Sequence, residues 1–232
     1  MLEINNYTSS ILKDISFHLK EHENLIILGH NGAGKSTLAK VLSNLIVNDS
    51  VKIYNQNIEE INDKQRATYI NYIPPKFEIF DEYITLREFL ELSCIDYVDN
   101  KKIDKVIDLL NLKKLENKYC ITFSSGEKQL LLLGSSIMHN AKITIFDELT
   151  ANLDISRIKE VFDIFQSDFL KQKIIITHNL DLAHALKYKI LYMDAGKIEF
   201  FGENDEFFSS ENLKRFYNDS IIKVNEHLVV NL

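Results

Sequence analysis

Apolar positions along the chain keep two rhythms. Short apolar runs bounded by polar residues mark strands. Leu25-Ile26-Ile27-Leu28 reads as a buried parallel strand, and Ile143-Thr144-Ile145-Phe146 and Ile174-Ile175-Ile176 read as further strands. Elsewhere apolar residues recur at helical spacing: Leu38, Val41, Leu42 and Leu45 predict a helix over 37–46. Helices are also predicted over 86–92, 103–110 and 127–138, and residues 76–125 as a whole read mostly helical. Residues 1–20 read as antiparallel strands, 51–54 as another, and 69–73 as a strand leading into Pro74-Pro75. Residues 190–202 read as a hairpin turning at Ala195-Gly196, and a last strand pair is expected at about 220–223 and 227–230. No apolar run approaches the roughly 20 residues needed to span a bilayer, so these runs are core-sized.

Composition narrows the class. The 232 residues are 45% hydrophobic and 26% charged, enough to bury the core of one large domain. Low Pro plus Gly excludes collagen-like and disordered chains. Two cysteines, Cys94 and Cys120, exclude a disulfide scaffold; they have no motif spacing and read as ordinary residues. A net charge of −7 argues against a basic groove, hence no nucleic acid partner. The opening Met1-Leu2-Glu3-Ile4-Asn5-Asn6 has neither the basic nor the apolar region of a signal peptide. The expectation is a cytoplasmic chain with no direct membrane insertion.

The chain has 7 glycines and 2 prolines, where an average chain of this length carries roughly 16 and 12. Three of those glycines fall within six residues, in Gly29-His30-Asn31-Gly32-Ala33-Gly34-Lys35-Ser36-Thr37. Strand, glycine-rich turn, Lys-Ser and helix together are the context a P-loop demands. Glycines let successive N–H groups face the α- and β-phosphates, and the helix N-terminus adds its positive end. Lys35 can reach the β- and γ-phosphates, and the Ser36 hydroxyl can ligate Mg²⁺. His30 occupies a variable position and reads as peripheral. The predicted fold class is α/β: a P-loop NTPase core with a parallel sheet, an N-terminal antiparallel β subdomain and a small α-helical subdomain.

The strand at 143–146 ends in Asp147-Glu148. Asp147 would hold Mg²⁺ through water. Glu148 could polarise the attacking water as a general base, an effect of about 10²–10⁴-fold.

Around these residues the chain resembles the ATPase subunits of ABC transporters. Leu149-Thr150-Ala151-Asn152-Leu153-Asp154 is similar to the end of the Walker B motif with its D-loop. Phe123-Ser124-Ser125-Gly126-Glu127-Lys128-Gln129 is similar to the family's signature motif, and Ile174-Ile175-Ile176-Thr177-His178 to the strand carrying its switch histidine. The resemblance implies two ATPase subunits, as homodimer or pseudo-dimer, paired head to tail. Each ATP would lie between one P-loop and the partner's signature, here Ser124, Ser125 and Gly126. It further implies that His178 contacts the γ-phosphate in its own subunit and that Asp154 lies at the dimer seam. Tyr7 is the candidate for stacking on adenine, with an ordinary strand aromatic as the alternative. Transmembrane permease subunits are the implied partners, and the implied location is the inner face of the cell membrane. The whole chain, 1–232, reads as a single cassette with the helical subdomain at about 76–125 inserted.

Two departures from the family pattern matter. Ser125 stands where the signature usually has its first glycine, and Phe123 replaces a leading Leu. Pro75 stands where the family carries a glutamine that would touch Mg²⁺ and the attacking water. Proline has no amide to offer and fixes φ near −65°. Weakened Mg²⁺-dependent hydrolysis or altered coupling is therefore expected, with nucleotide binding retained. Phe77, Ile79, Phe80, Tyr83 and Ile84 follow as an apolar stretch, either a groove for a membrane subunit's helix or the helical lobe's own core. The tail from 190 onward resembles ATPase subunits of importers for ferric siderophores, haem and cobalamin, with zinc or manganese importers as alternatives. An exporter or lipoprotein-release ATPase, or a non-transport ABC protein, would share the same catalytic motifs.

Overall fold

The computed structural model describes residues 1–151, 153–218, 220–224 and 227–230; Asn152 of the D-loop resemblance lies outside them. A six-stranded sheet organises the molecule. Its strands are β3 (Leu25–Gly29), β6 (Ile70–Ile73), β7 (Ile143–Asp147), β8 (Gln172–Ile176), β9 (Lys189–Asp194) and β10 (Lys197–Gly202), in the order β10-β9-β3-β8-β7-β6. β10 runs antiparallel to β9 as the hairpin partner, and the other neighbours are parallel.

Alternation along the inner strands sends side chains to two separate cores. Leu25 and Ile27, Ile143 and Ile145, and Ile174 and Ile176 share one core with α1 (Lys35–Leu42) and the N-terminal sheet. Ile26 and Leu28, Phe146, and Ile175 join the other, beneath α5 (Ser125–His139), α6 (Ile155–Gln166) and α7 (Leu180–Leu186). These residues are essentially fully buried, which stabilises by about 1.5–3 kcal/mol per aliphatic side chain. The unbroken apolar runs Leu25–Leu28 of β3 and Ile174–Ile176 of β8 follow directly from having both faces covered.

The N-terminal sheet is antiparallel in the order β2-β1-β4-β5, with β1 (Leu2–Tyr7), β2 (Ile15–Leu19), β4 (Val51–Ile53) and β5 (Gln56–Asn57). Before β6 comes α2 (Asp63–Tyr69), a helix without an apolar stripe, started by Asn62, whose side chain accepts from the Gln65 N–H. It carries no buried residue, so hydrophobic spacing could not announce it. The expected helix over 37–46 is shorter and starts earlier. Asn44 enters the left-handed region at φ 58, which ends the helix and leaves Leu45 exposed.

The helical lobe consists of α3 (Leu86–Leu92) and α4 (Asn100–Leu109) packed on α5. Residues 76–85 are not helical, so the lobe is less helical than its sequence suggests. Gly134 on α5 lies where a Cβ would meet Leu110, Leu90 and Val106 at 3.0–3.3 Å, so its lack of a side chain lets α3 and α4 pack closely on α5. The apolar stretch after the prolines divides: Phe77, Ile79 and Ile84 pack against the lobe's core, while Phe80 and Tyr83 are exposed. The chain closes with α8 (Asn204–Phe207), α9 (Ser210–Tyr217) and the hairpin β11 (Ile221–Val224) and β12 (His227–Val230).

Candidate functional site

The glycine-rich loop leaves β3 at Gly29 and enters α1 at Gly34, both with positive φ (145° and 99°). Gly29 pairs with Met193 on β9, and a Cβ there would sit 2.2 Å from the Met193 carbonyl oxygen. The loop is anchored by the β9–β10 turn, where the Gly196 N–H donates to Ala33 at 3.2 Å and the Gly196 carbonyl accepts from Lys13 at 2.8 Å. No side chain caps α1 and no acidic residue stands in its first turn, so nothing in the helix itself offsets its positive end. The buried Lys35 ammonium donates to the carbonyls of Gly29 (2.8 Å) and His30 (2.9 Å). Burial lowers its pKa, opposed by the nearby Glu148 and Asp147. Exposed His30 meets Tyr192 and Tyr217 edge-on, each at 6.2 Å.

Parallel register brings the acidic pair to the same place. Asp147 ends β7 opposite Ile176 of β8, so Glu148 and His178 leave adjacent strand ends. Their side chains meet, His178 Nε2 to Glu148 Oε1 at 2.8 Å. Glu148 has φ 56, the left-handed region, with its N–H donating to the Ile176 carbonyl at 3.0 Å. Strained backbone of this kind clusters at functional sites. Asp147 is fully buried. Burial raises its pKa, and the neighbouring Ser36 and Tyr72 hydroxyls pull it back. Of the two, Tyr72 makes the full hydrogen bond, donating to Asp147 Oδ2 at 2.9 Å. Burial, reinforced by Asp147, holds the Tyr72 phenol protonated.

A cavity of about 310 Å³ follows the loop from Asn31 through Gly32, Ala33, Gly34, Lys35 and Ser36 to Thr37, with Glu148 and Ile11 on its walls. Tyr7 is not on that wall; its ring packs against the core beneath the N-terminal sheet, and Ile11 is the apolar residue that reaches the loop. The bend between β1 and β2 sets that placement and is invisible to residue spacing. Ser124, Ser125 and Gly126 do not line the cavity either. Ser124 caps α5 in a capping box, its hydroxyl 2.8 Å from Glu127 Oε2, and the helix starts at Ser125, two residues before its expected start. Ser125 is not among the residues with positive φ, so its side chain is compatible with the turn. Asp154 caps α6, accepting from the Arg157 N–H at 2.9 Å, and it and Ile155 are exposed. Pro75 offers only its carbonyl, which accepts from Gln129 Nε2 of α5 at 3.3 Å. Lys76 is exposed.

A parallel sheet with a glycine-rich loop, a buried lysine and an acidic pair at its carboxyl edge defines a P-loop nucleoside triphosphatase. The ABC transporter family matches residues 12–151, more than half of the chain. This chain belongs to that family, as an ABC-type ATPase. It is 32% identical over 194 residues to an ABC transporter ATP-binding protein of Clostridium tetani, covering 81% of this chain but only 44% of that protein's length. It is 27% identical over 233 residues to the methionine import ATP-binding protein MetN of Campylobacter jejuni, covering 88% of this chain and 69% of the relative. The ADP- and phosphate-bound dimer of the ATP-binding cassette MJ0796 superposes with a TM-score of 0.77 at 21% identity, over 88% of this chain and 99% of that one. That likeness carries the fold. No helix among the described residues is long and apolar enough to cross a membrane.

Proposed function

We propose that this chain is the ATP-hydrolysing subunit of a membrane importer, a single cassette with residues 76–125 as its inserted helical subdomain. The observation that carries this reading is the convergence of Lys35, Asp147, Glu148 and His178 at one edge of the parallel sheet. Backbone groups from Gly29 to Thr37 bind the phosphates, and Lys35 moves from its loop carbonyls to the β- and γ-phosphates.

The residues also fit Mg²⁺: Asp147 Oδ1 is buried without a hydrogen-bond partner among the described residues, and the Ser36 hydroxyl lies beside the same carboxylate. When bound there, the cation would neutralise charge on the phosphate oxygens. Glu148 accepts a proton from the attacking water as the water oxygen bonds to the γ-phosphorus and the bond to the β–γ bridging oxygen breaks. His178, already paired with Glu148, holds that carboxylate in place and contacts the γ-phosphate.

Ser124, Ser125 and Gly126 complete the site of a second ATPase subunit. Their absence from the lining of their own chain's cavity supports a head-to-tail pair, with the exposed Asp154 at its seam. Ile11, which lines the cavity, joins Tyr7 as a candidate contact for adenine.

Exposed Phe80 and Tyr83, beside the Pro74-Pro75 hinge, offer the apolar surface for a permease subunit at the inner membrane face. The tail from β9 to β12 favours an iron complex, haem, cobalamin or a metal ion as cargo. Co-purification with a polytopic membrane protein, joined to uptake assays of iron, haem and cobalamin in a deletion strain, tests the reading. Loss of one uptake activity supports it; unchanged uptake with no membrane partner contradicts it.

A further inference from the structure

Strand β6 closes the sheet beside β7, with Tyr72 paired to Ile145 and Ile73 to Phe146. From this edge the Tyr72 hydroxyl reaches Asp147 Oδ2 at 2.9 Å, across 75 positions of sequence. Asp147 has no solvent exposure, and its other oxygen, Oδ1, has no hydrogen-bond partner among the described residues. A buried carboxylate left without partners is costly and rotates to find them. One donor on Oδ2 restrains the plane of the group and leaves Oδ1 unpartnered, while the Ser36 hydroxyl lies beside the same carboxylate. Tyr72 is also three residues before Pro75, whose carbonyl receives Gln129 from α5. The segment from Tyr72 on β6 to Pro75 just after it therefore links the helix that begins at Ser125 to Asp147 at the end of β7.

We propose that Tyr72 is a positioning residue for the cation site: its hydroxyl clamps Asp147 so that Oδ1 is presented to Mg²⁺. This rests on the nucleotide and Mg²⁺ reading given above. Partners one shell out from a metal fix the orientation of its ligands, and losing one typically weakens metal affinity by about 10–100-fold.

The test uses the full chain and a fluorescent ADP analogue, with binding followed as Mg²⁺ is titrated and again in EDTA. For Tyr72→Phe the Mg²⁺ concentration giving half of the metal-dependent affinity gain should rise by about 10–100-fold, with affinity in EDTA unchanged. Tyr72→Met removes the hydroxyl with a differently shaped side chain and should give the same shift, which separates the hydroxyl from ring packing. In an Asp147→Asn background, adding Tyr72→Phe should produce no further shift. An unchanged Mg²⁺ dependence in Tyr72→Phe, or a parallel fall of affinity in EDTA, overturns the proposal while leaving the nucleotide reading intact. A wild-type chain whose nucleotide binding ignores Mg²⁺ overturns the proposal together with the Mg²⁺ reading on which it rests.

Discussion

Gly29→Ala is the sharpest test of the phosphate loop's geometry. Gly29 combines φ 145 with a Cβ position 2.2 Å from the Met193 carbonyl oxygen, a backbone atom of the paired strand β9. Gly32 has φ 81 but nothing within 4 Å of its Cβ position. Left-handed strain at a non-glycine residue costs about 1–3 kcal/mol, and replacing glycine returns about 0.5–1 kcal/mol through the unfolded chain. Both substitutions share those two effects. The carbonyl overlap is peculiar to Gly29, and forcing atoms into a packed site costs typically 1–3 kcal/mol. For a chain of this size each kcal/mol moves Tm by about 2–4 °C, so Gly29→Ala should melt about 2–12 °C below Gly32→Ala. Thermal unfolding followed by circular dichroism reads the difference. Equal Tm values for the two variants would refute the reasoning, because they would mean that β9 does not hold its carbonyl against the loop.

Two further substitutions probe other parts of the account. Pro75→Gln restores a side-chain amide at the hinge and should raise ATP turnover in the complex with the membrane partner; the same or lower turnover contradicts that. His139 is partly buried at the end of α5, with Nε2 2.8 Å from the Ala67 carbonyl, so this nitrogen carries the donated proton. Burial lowers its pKa from 6.5, and the hydrogen bond to Ala67 only partly offsets this. The folded chain then binds fewer protons than the unfolded chain. Its contribution is complete above the unfolded value and is lost as pH falls through the depressed folded value. His139→Gln should therefore flatten the loss of urea stability on going from neutral pH to below about 6; an unchanged slope contradicts the assignment.

What the sequence made legible were features with local causes. Gly29, Gly32 and Gly34 announce the loop because only a backbone that tolerates positive φ can wrap phosphates. The apolar runs at 25–28 and 174–176 announce buried strands because both faces of the sheet are covered. Contacts across the sheet had no such signature. The hydrogen bond from Tyr72 to Asp147, the pair formed by His178 and Glu148, and the bond from Gln129 to Pro75 depend on strand order, which residue spacing does not encode. Tyr72 had one usable signal, a polar-tipped aromatic beside a strand that ends in carboxylates. Helix α2 escaped because a helix with no buried residue has no apolar period. That Ile11 lines the cavity beside the loop was not legible, because the turn between β1 and β2, not distance along the chain, decides which side chain arrives there.

In the proposed function Glu148, paired with His178 just beyond the end of β7, drives hydrolysis of the nucleotide held by the glycine-rich loop. Steady-state ATP hydrolysis with Mg²⁺ by the wild-type chain and by Glu148→Gln, paired with equilibrium ATP binding, tests it most directly. Glu148→Gln should retain binding and turn over about 10²–10⁴-fold more slowly. Unchanged turnover in Glu148→Gln would contradict it.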